Sequence, residues 1–243
     1  SVVYLETAPR AAFDQRDEPR AKLDQRNEAF VPHVLAIVAV DHPLVSEAIE
    51  ELVAKGKFVM TLLSGLTTPA CFGHIGVDSR KAGRTAAWAI SKLAKKPGKI
   101  GILLGSHRYL SQETAEISFR SFMRENAPQF QLLEPLVNLD DQRIAYEAVV
   151  DMISSNPDLA GIYMCGGGME GLIRALRDEA AGGRIIAVCN ELLPVTRGAL
   201  IDGTVDMVLS TPIDRLAALA VDAMARAANG ERADGNSQIQ LQA

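Results

Sequence analysis

Long apolar runs and an excess of basic charge are both missing from this sequence. Hydrophobic residues make up 48% of the 243 positions, but no run approaches the roughly 20 apolar residues that a membrane helix needs. With 25 basic and 30 acidic residues the net charge is -5. Nucleic-acid binding needs a basic face for the phosphates. We therefore expect neither a membrane segment nor a DNA-binding surface within this chain.

Cysteines are few and follow no disulfide framework. The sequence has three, Cys71, Cys165 and Cys189, an odd number without regular spacing. Because Cys165 and Cys189 each end an apolar run, we expect buried free thiols, which suits a reducing compartment. Cys71 and His74 have the C-x-x-H spacing of metal ligands, but two further ligands are absent nearby, so no metal site is expected.

Catalytic and nucleotide-binding motifs are also lacking. The sequence contains neither H-E-x-x-H nor G-x-S-x-G, and Asp140 and Asp141 are adjacent, so a helix would point them in different directions. Gly166, Gly167 and Gly168 follow a strand, without the remaining residues of a dinucleotide or P-loop motif. We interpret these glycines as room for close approach of the backbone to a ligand, and we expect no enzyme activity and no cofactor.

Short apolar runs alternate with amphipathic segments along most of the chain. Continuous apolar runs predict buried strands, and apolar residues at a spacing of 3.6 predict helices between them. Because alternating strands and helices form βαβ units, the pattern predicts an α/β fold with two Rossmann-like lobes and parallel sheets. The predicted strands cover residues 35–40, 58–63, 100–104, 131–137, 159–164, 184–188 and 205–209.

Polar side chains gather directly after the predicted strands. Such positions hold small ligands in open α/β sheets, and carboxylates, amides and hydroxyls suit a hydroxylated ligand. For any one residue, a helix cap or a turn is the simpler interpretation; for the set, we favour a ligand cleft. The candidates taken from this pattern are His42, Ser64, Asp78, His107, Arg108, Asp141, Asn190, Glu191 and Ser210.

From residue 35 to the end, the chain resembles the ligand-binding domain of LacI/GalR-family transcriptional repressors, a type I periplasmic-binding-protein fold. Five blocks carry the resemblance: residues 37–43 (IVAVDHP), 76–86 (GVDSRKAGRTA), 118–120 (SFR), 156–163 (NPDLAGIY) and 200–206 (LIDGTVD). The most specific pattern is Asp78 followed by Ala82, Gly83 and Arg84.

The resemblance implies two lobes that close on a sugar or related metabolite. The lobes would be residues 35–97 plus 211–233 and residues 98–210 plus 234–243. Asp78, Asn190 and Glu191 match ligand-contacting positions, and Gly168 and Met169, at and directly after the glycine turn, are two further ligand-binding candidates. The chain departs from the family at Ala115, Met169 and Ser210. A family member would be a cytoplasmic homodimer that reaches operator DNA through an N-terminal helix-turn-helix, which this chain would lack. The alternative is a solute-binding protein of a sugar ABC transporter.

Residues 1–34 differ from the rest, because they form a charge-dense stretch without helical or strand periodicity. We expect a loop or a disordered tail there. Residues 1–35 also resemble the opening of a cupredoxin domain, in which the residue matching His33 can bind copper. The Cys-x-His-x-Met loop that would complete such a site is missing, so a copper-binding protein is the third alternative.

Overall fold

Two units, each with its own parallel sheet, make up the part of the chain that the computed structural model describes: residues 25–26, 29–30 and 32–230. Among these residues, the first unit holds those up to Gly76 and those from Ile213 on, and the second holds Val77 to Pro212. Helices connect most of the successive parallel strands within each unit. The predicted α/β class with parallel sheets is therefore confirmed.

The first unit contains a short antiparallel pair and a three-stranded sheet. The pair is β1 (Gln25–Arg26) with β2 (Ala29–Phe30), in a stretch where the sequence predicted no regular structure. The sheet has the order β3-β4-β5 and is entirely parallel. Its strands are β3 (Val34–Ile37), β4 (Phe58–Leu62) and β5 (Gly73–Ile75), with helices α1 (Pro43–Ala54) and α7 (Ile213–Ala228) in the same unit.

The core of the first unit is small and centres on β4. Met60 from β4 and Ile75 from β5 are buried, and they pack with Leu216 and Ala220 of α7. This explains the predicted strand at 58–63, of which the structure forms all but the last residue. The predicted strand at 35–40 is shorter than expected, ending at Ile37.

The second unit has a longer series of strands and helices, all its strands being parallel. Its helices are α2 (Ser79–Leu93), α3 (Leu110–Asn126), α4 (Gln142–Ser155), α5 (Met169–Asp178) and α6 (Pro194–Ile201). Its strands are β6 (Lys99–Leu104), β7 (Gln131–Leu132), β8 (Leu136–Val137), β9 (Leu159–Met164), β10 (Ile186–Asn190) and β11 (Met207–Leu209).

The sheet of the second unit has the order β11-β10-β9-β6, and both β7 and β8 pair with β6 on its other side. β7 lies beside Lys99 and Ile100, and β8 lies beside Leu103 and Leu104. The single strand that the sequence predicted at 131–137 is therefore split in two. Its second half carries the chain to the carboxyl end of β6.

Both faces of this sheet are covered, which is why its strands are continuously apolar. One face packs against α4 and α5 through residues such as Ile162 and Leu172. The other packs against α2 and α3, where the rings of Phe119 and Tyr163 stack with centroids 5.1 Å apart. These two cores hold the strands in place, and the polar residues that follow the strands lie at the carboxyl edge of the sheet.

Helix α2 belongs to the second unit, whereas the sequence had placed everything up to residue 97 in the first. The reason is its packing: Ala86 and Ile90 of α2 are buried in one core with Phe119 of α3. At Gly83, a Cβ atom would lie 2.0 Å from the carbonyl oxygen of Ala115, so the two helices touch through their backbones. The chain passes from the first unit to the second between Gly76 and Val77, just before Asp78, and it returns to the first unit after Pro212.

Candidate ligand-binding site

The carboxyl edge of the second sheet gathers the polar residues of four neighbouring strands. Because β8, β6, β9 and β10 run parallel, the segments that leave them emerge along one edge. These segments contain six of the predicted site residues. They are His107 and Arg108 after β6, Asp141 after β8, Gly168 after β9, and Asn190 and Glu191 at the end of β10.

Asn190 and Glu191 are held in fixed orientations. The Asn190 amide oxygen accepts a hydrogen bond from the Tyr163 hydroxyl at 3.4 Å, and its nitrogen donates to the Cys165 carbonyl at 3.1 Å. The Glu191 carboxylate accepts from the Thr211 hydroxyl at 2.5 Å and from the Thr211 N–H at 3.3 Å. An amide and a carboxylate have further donor and acceptor positions, so both groups can also bind hydroxyls.

Asp140 organises the loops beside this pair. Its carboxylate accepts the N–H of Gly167 at 2.6 Å, and the buried Asn138 side chain donates to the Gly167 carbonyl at 2.8 Å. A Cβ atom at Gly105 would lie 2.0 Å from the Asp140 carboxylate, and one at Gly166 or Gly167 would lie 3.0 Å from it. The glycines therefore make room for Asp140. Sequence analysis had interpreted Gly166 and Gly167 as room for a ligand.

The loop after β6 is fastened by a glutamine that the sequence did not single out. The Gln112 side-chain oxygen accepts the N–H groups of Gly105 at 2.7 Å and Ser106 at 3.1 Å. These two donors are thus satisfied within the protein. His107 and Arg108 follow on the exposed part of the loop.

Three of the predicted site residues cap helix N-termini with their side chains. Each accepts one or two backbone N–H groups from the first turn of its helix. A helix cap was the simpler interpretation of each such residue in the sequence. His42 belongs to the first unit, and the other two belong to the second. The bonds are His42 with Leu44 at 3.2 Å, Asp78 with Lys81 at 3.0 Å, and Asp141 with Arg143 and Ile144 at 2.8 and 3.0 Å.

Gly168 and Met169 have structural roles at the start of α5. Gly168 has a φ of 90°, which favours glycine, and a Cβ there would lie 2.8 Å from the Asn138 amide nitrogen. Met169 is 6% exposed and is part of the hydrophobic core beside α4. Its side chain lies in that core, where the resemblance had implied a ligand contact.

Ser210 is exposed and lines a groove of about 690 Å³ between α2 and the edge strand β11. Trp88 and Phe122 line the same groove, whose walls are mainly apolar. Arg84 lies over the Phe122 ring at 5.2 Å and is 3.4 Å from Glu125. This groove differs chemically from the polar edge at Asn190, and nothing in the sequence pattern had indicated it.

The first unit carries its own polar residues after strand ends. Asp41 accepts the N–H and the hydroxyl of Thr67 at 2.9 and 3.0 Å, joining the exit of β3 to the segment after β4. Ser64 is 2% exposed, and its N–H donates to the Leu62 carbonyl. The preceding Leu63 has a φ of 62°. Ser64 is thus buried in its turn, whereas sequence analysis had expected it to face a ligand.

Burial and hydrogen bonding shift the pKa values of several side chains in the second unit. Backbone N–H donors hold the pKa of Asp141 below its ordinary value. Burial raises the pKa of Glu116, although Arg120 lies 3.4 Å away. Burial also raises the pKa of Tyr163 strongly and that of Cys165 to about 12. The hydroxyl and thiol near Asn190 are therefore neutral at physiological pH.

Among residues 25–26, 29–30 and 32–230, no three His, Cys, Asp or Glu side chains are grouped as a metal ion would require. His33, the residue of the copper alternative, is exposed just before β3. Most of residues 1–34 lie outside the described part of the chain. Within the described part, no helix combines the length and apolar character needed to cross a membrane.

Sequence comparison assigns most of the chain to one known family. Residues 21–232 match the periplasmic binding protein domain, and the match begins within the segment that sequence analysis had set apart. The chain belongs to the periplasmic binding protein domain family. No curated protein sequence matches this periplasmic-binding-protein-like chain.

Solved structures agree with this fold. An ABC transporter solute-binding protein from Agrobacterium vitis, bound with α-D-tagatopyranose, superposes with a TM-score of 0.80 at 18% identity, over 86% of this chain and 74% of that one. A second protein from the same organism, with bound D-fucose, gives 0.77 at 19% identity over 83% and 71%. GanP, a glucose-galactose binding protein from Geobacillus stearothermophilus, gives 0.78 at 17% over 85% and 74%. These likenesses establish a type I periplasmic-binding-protein-like fold.

Proposed function

We propose that this periplasmic-binding-protein-like chain binds a sugar-like small molecule without chemically changing it. The observation that carries the proposal is the Asn190–Glu191 pair, fixed by Tyr163, Cys165 and Thr211 at the carboxyl edge of a parallel sheet. Fixed amide and carboxylate groups suit hydroxyls, because little side-chain freedom remains to be lost on binding. Similar folds with bound D-tagatose and D-fucose support this choice of ligand class.

A panel of D-tagatose, D-fucose, D-arabinose, D-galactose and D-glucose tests the proposal by thermal unfolding. A ligand at 100 times its Kd stabilises the native state by about 2.7 kcal/mol, which for a chain of this size raises Tm by roughly 5–10 °C. We expect at least one of these sugars to produce such a rise. No rise with any sugar, on a chain that unfolds cooperatively, contradicts sugar binding.

Glu191→Gln identifies the site. Hydrogen bonds to a charged group contribute about 1.5–3 kcal/mol, so the variant should bind the same sugar roughly 10- to 100-fold more weakly. Glu179→Gln makes the same chemical change at an exposed position on the C-cap of α5 and should leave Kd unchanged. Equal Kd values for wild type and Glu191→Gln would show that the sugar binds elsewhere.

For the biological context, the proposal follows the transporter alternative. The similar structures include transporter solute-binding proteins, and this favours a transport-linked binding protein over the repressor domain that the sequence resemblance implied. The homodimer, the operator DNA and the cytoplasmic location belong to the repressor hypothesis and stay predictions. Sedimentation of the sugar-bound chain separates the two: a monomer supports transport-linked binding, and a stable homodimer supports the repressor hypothesis.

A further inference from the structure

Left-handed backbone conformations cluster at the carboxyl ends of strands. Five non-glycine residues of the described chain have a positive φ. Four of them, Leu63, Leu139, Asp140 and Glu191, follow strands, whereas Ala180 follows helix α5. L-residues disfavour this region because Cβ crowds the backbone. Leu139 and Asp140, with φ of 56° and 57°, are the one consecutive pair among these five.

The surroundings hold Leu139 in this conformation from both sides. Its N–H donates to the Gly105 carbonyl at 3.0 Å, which continues the pairing of β8 with β6. On one side, Asn138 is fully buried and its side-chain oxygen accepts the Asp140 N–H at 3.0 Å. On the other, the Asp140 carboxylate binds the Gly167 N–H. The loop therefore presents Leu139 rigidly at the sheet edge.

The Leu139 side chain gains little burial in return for this strain. It is 68% exposed, whereas the neighbouring Asn138 is fully buried. Glycine or asparagine would adopt the same backbone more easily, and neither would expose a branched apolar group. Backbone strain of this kind is retained mainly at functional sites. An exposed leucine at such a position is suited to pack against an apolar surface of a ligand.

We propose that Leu139 is a specificity-determining contact for the apolar C–H face of the sugar-like ligand, and this inference rests on the proposed function. A sugar ring has hydroxyls around its rim and C–H groups on its faces, and a deoxy sugar adds a methyl group. Asn190 and Glu191 bind hydroxyls, and Leu139, on the segment leaving β8 along the same edge, packs against the carbon surface. Leu139 thus selects sugars that present a C–H face or a methyl group to it.

Leu139→Gly in the full chain tests the contact. Relief of strain should raise Tm without ligand by roughly 2–4 °C, because glycine adopts positive φ readily. At the same time, the Tm rise produced by the best sugar of the five-sugar panel should fall by at least half. Leu139→Met, which keeps an apolar side chain of similar volume, should retain that rise.

Ala180→Gly is the matched control, since Ala180 also has a positive φ, of 47°, but lies at the end of α5. It should raise Tm without ligand and leave the sugar response unchanged. A purely structural role for Leu139 would give the same result at both positions.

The outcomes separate this inference from the proposed function. If wild type responds to no sugar of the panel, sugar binding is wrong and the Leu139 contact is wrong with it. If wild type responds and Leu139→Gly responds equally, only the Leu139 contact is wrong. A lower Tm of Leu139→Gly without ligand also overturns it, because the side chain would then be stabilising the fold itself.

Discussion

Replacing Gly83 by alanine should destabilise the second unit, although alanine is the better helix former. A Cβ at Gly83 would lie 2.0 Å from the Ala115 carbonyl oxygen, 2.8 Å from its carbonyl carbon and 3.0 Å from its Cα. Favourable contacts between heavy atoms lie near 3.5–4.0 Å. Because all three atoms belong to the α3 backbone, no side-chain rotation relieves the overlap, and the two helices must move apart.

The expected loss follows from two opposing terms. Overpacking costs about 1–3 kcal/mol, and a clash between two helix backbones belongs at the upper end of that range. Alanine recovers about 1 kcal/mol of helix propensity relative to glycine. The net loss in the free energy of unfolding is therefore about 2 kcal/mol, and Tm should fall by roughly 4–8 °C.

Urea denaturation followed by circular dichroism measures this loss, with Gly198→Ala as the control. Gly198 lies in helix α6 with no atom within 4 Å of its would-be Cβ, so alanine there should stabilise by about 0.5–1 kcal/mol. The two substitutions are chemically identical and should act in opposite directions. A Gly83→Ala chain as stable as wild type would refute the α2–α3 backbone contact.

Three further predictions concern buried groups of the second unit. Gly105→Ala should be destabilising in wild type but tolerated in an Asp140→Ala background, so a double-mutant cycle should give a coupling of about 0.5–3 kcal/mol; additive effects would contradict the glycine–carboxylate packing. Cys165 and Cys189, whose pKa values burial raises to about 12, should resist thiol reagents at pH 8 until urea unfolds the chain, and rapid native labelling of either would contradict their burial. Because burial raises the pKa of Glu116, the folded state keeps this proton to a higher pH than the unfolded state, and the free energy of unfolding should fall as pH rises through that pKa. Urea titrations should therefore show Glu116→Gln gaining stability relative to wild type between pH 4 and 7. A stability difference between the two chains that does not change with pH would contradict the raised pKa.

The fold could be predicted from the sequence because its strands are buried on both faces. The strand at 159–164 is found as predicted, since continuous apolar runs need no knowledge of their neighbours. The unit to which α2 belongs could not be predicted in the same way. Ala82, Ala86 and Ile90 predict a helix with an apolar face, but only the three-dimensional packing at Gly83 shows that this face meets α3.

The site was harder to predict than the fold. Asn190 and Glu191 could be proposed as candidates because they lie at the end of an apolar strand, where side chains reach the edge of the sheet. Asn138 and Gln112 could not, because their partners are backbone groups of distant loops. The one sequence signal for these loops was the run of glycines from Gly166, whose partner, the Asp140 carboxylate, becomes visible only in the structure.

The hydrogen bonds already present at the sheet edge decide which candidates can contribute most to binding. Asp141 accepts two N–H groups of α4 at its Oδ1 atom, so its carboxylate already serves as the cap of that helix. Asn190 keeps one N–H and one oxygen lone pair beyond its bonds within the described chain. Among the described residues, the Glu191 carboxylate bonds only to Thr211. Removing a cap costs helix stability as well as any ligand contact. A change at Asp141 should therefore lower both Tm and affinity, whereas Glu191→Gln should act mainly on affinity, and this difference separates a cap from a ligand contact.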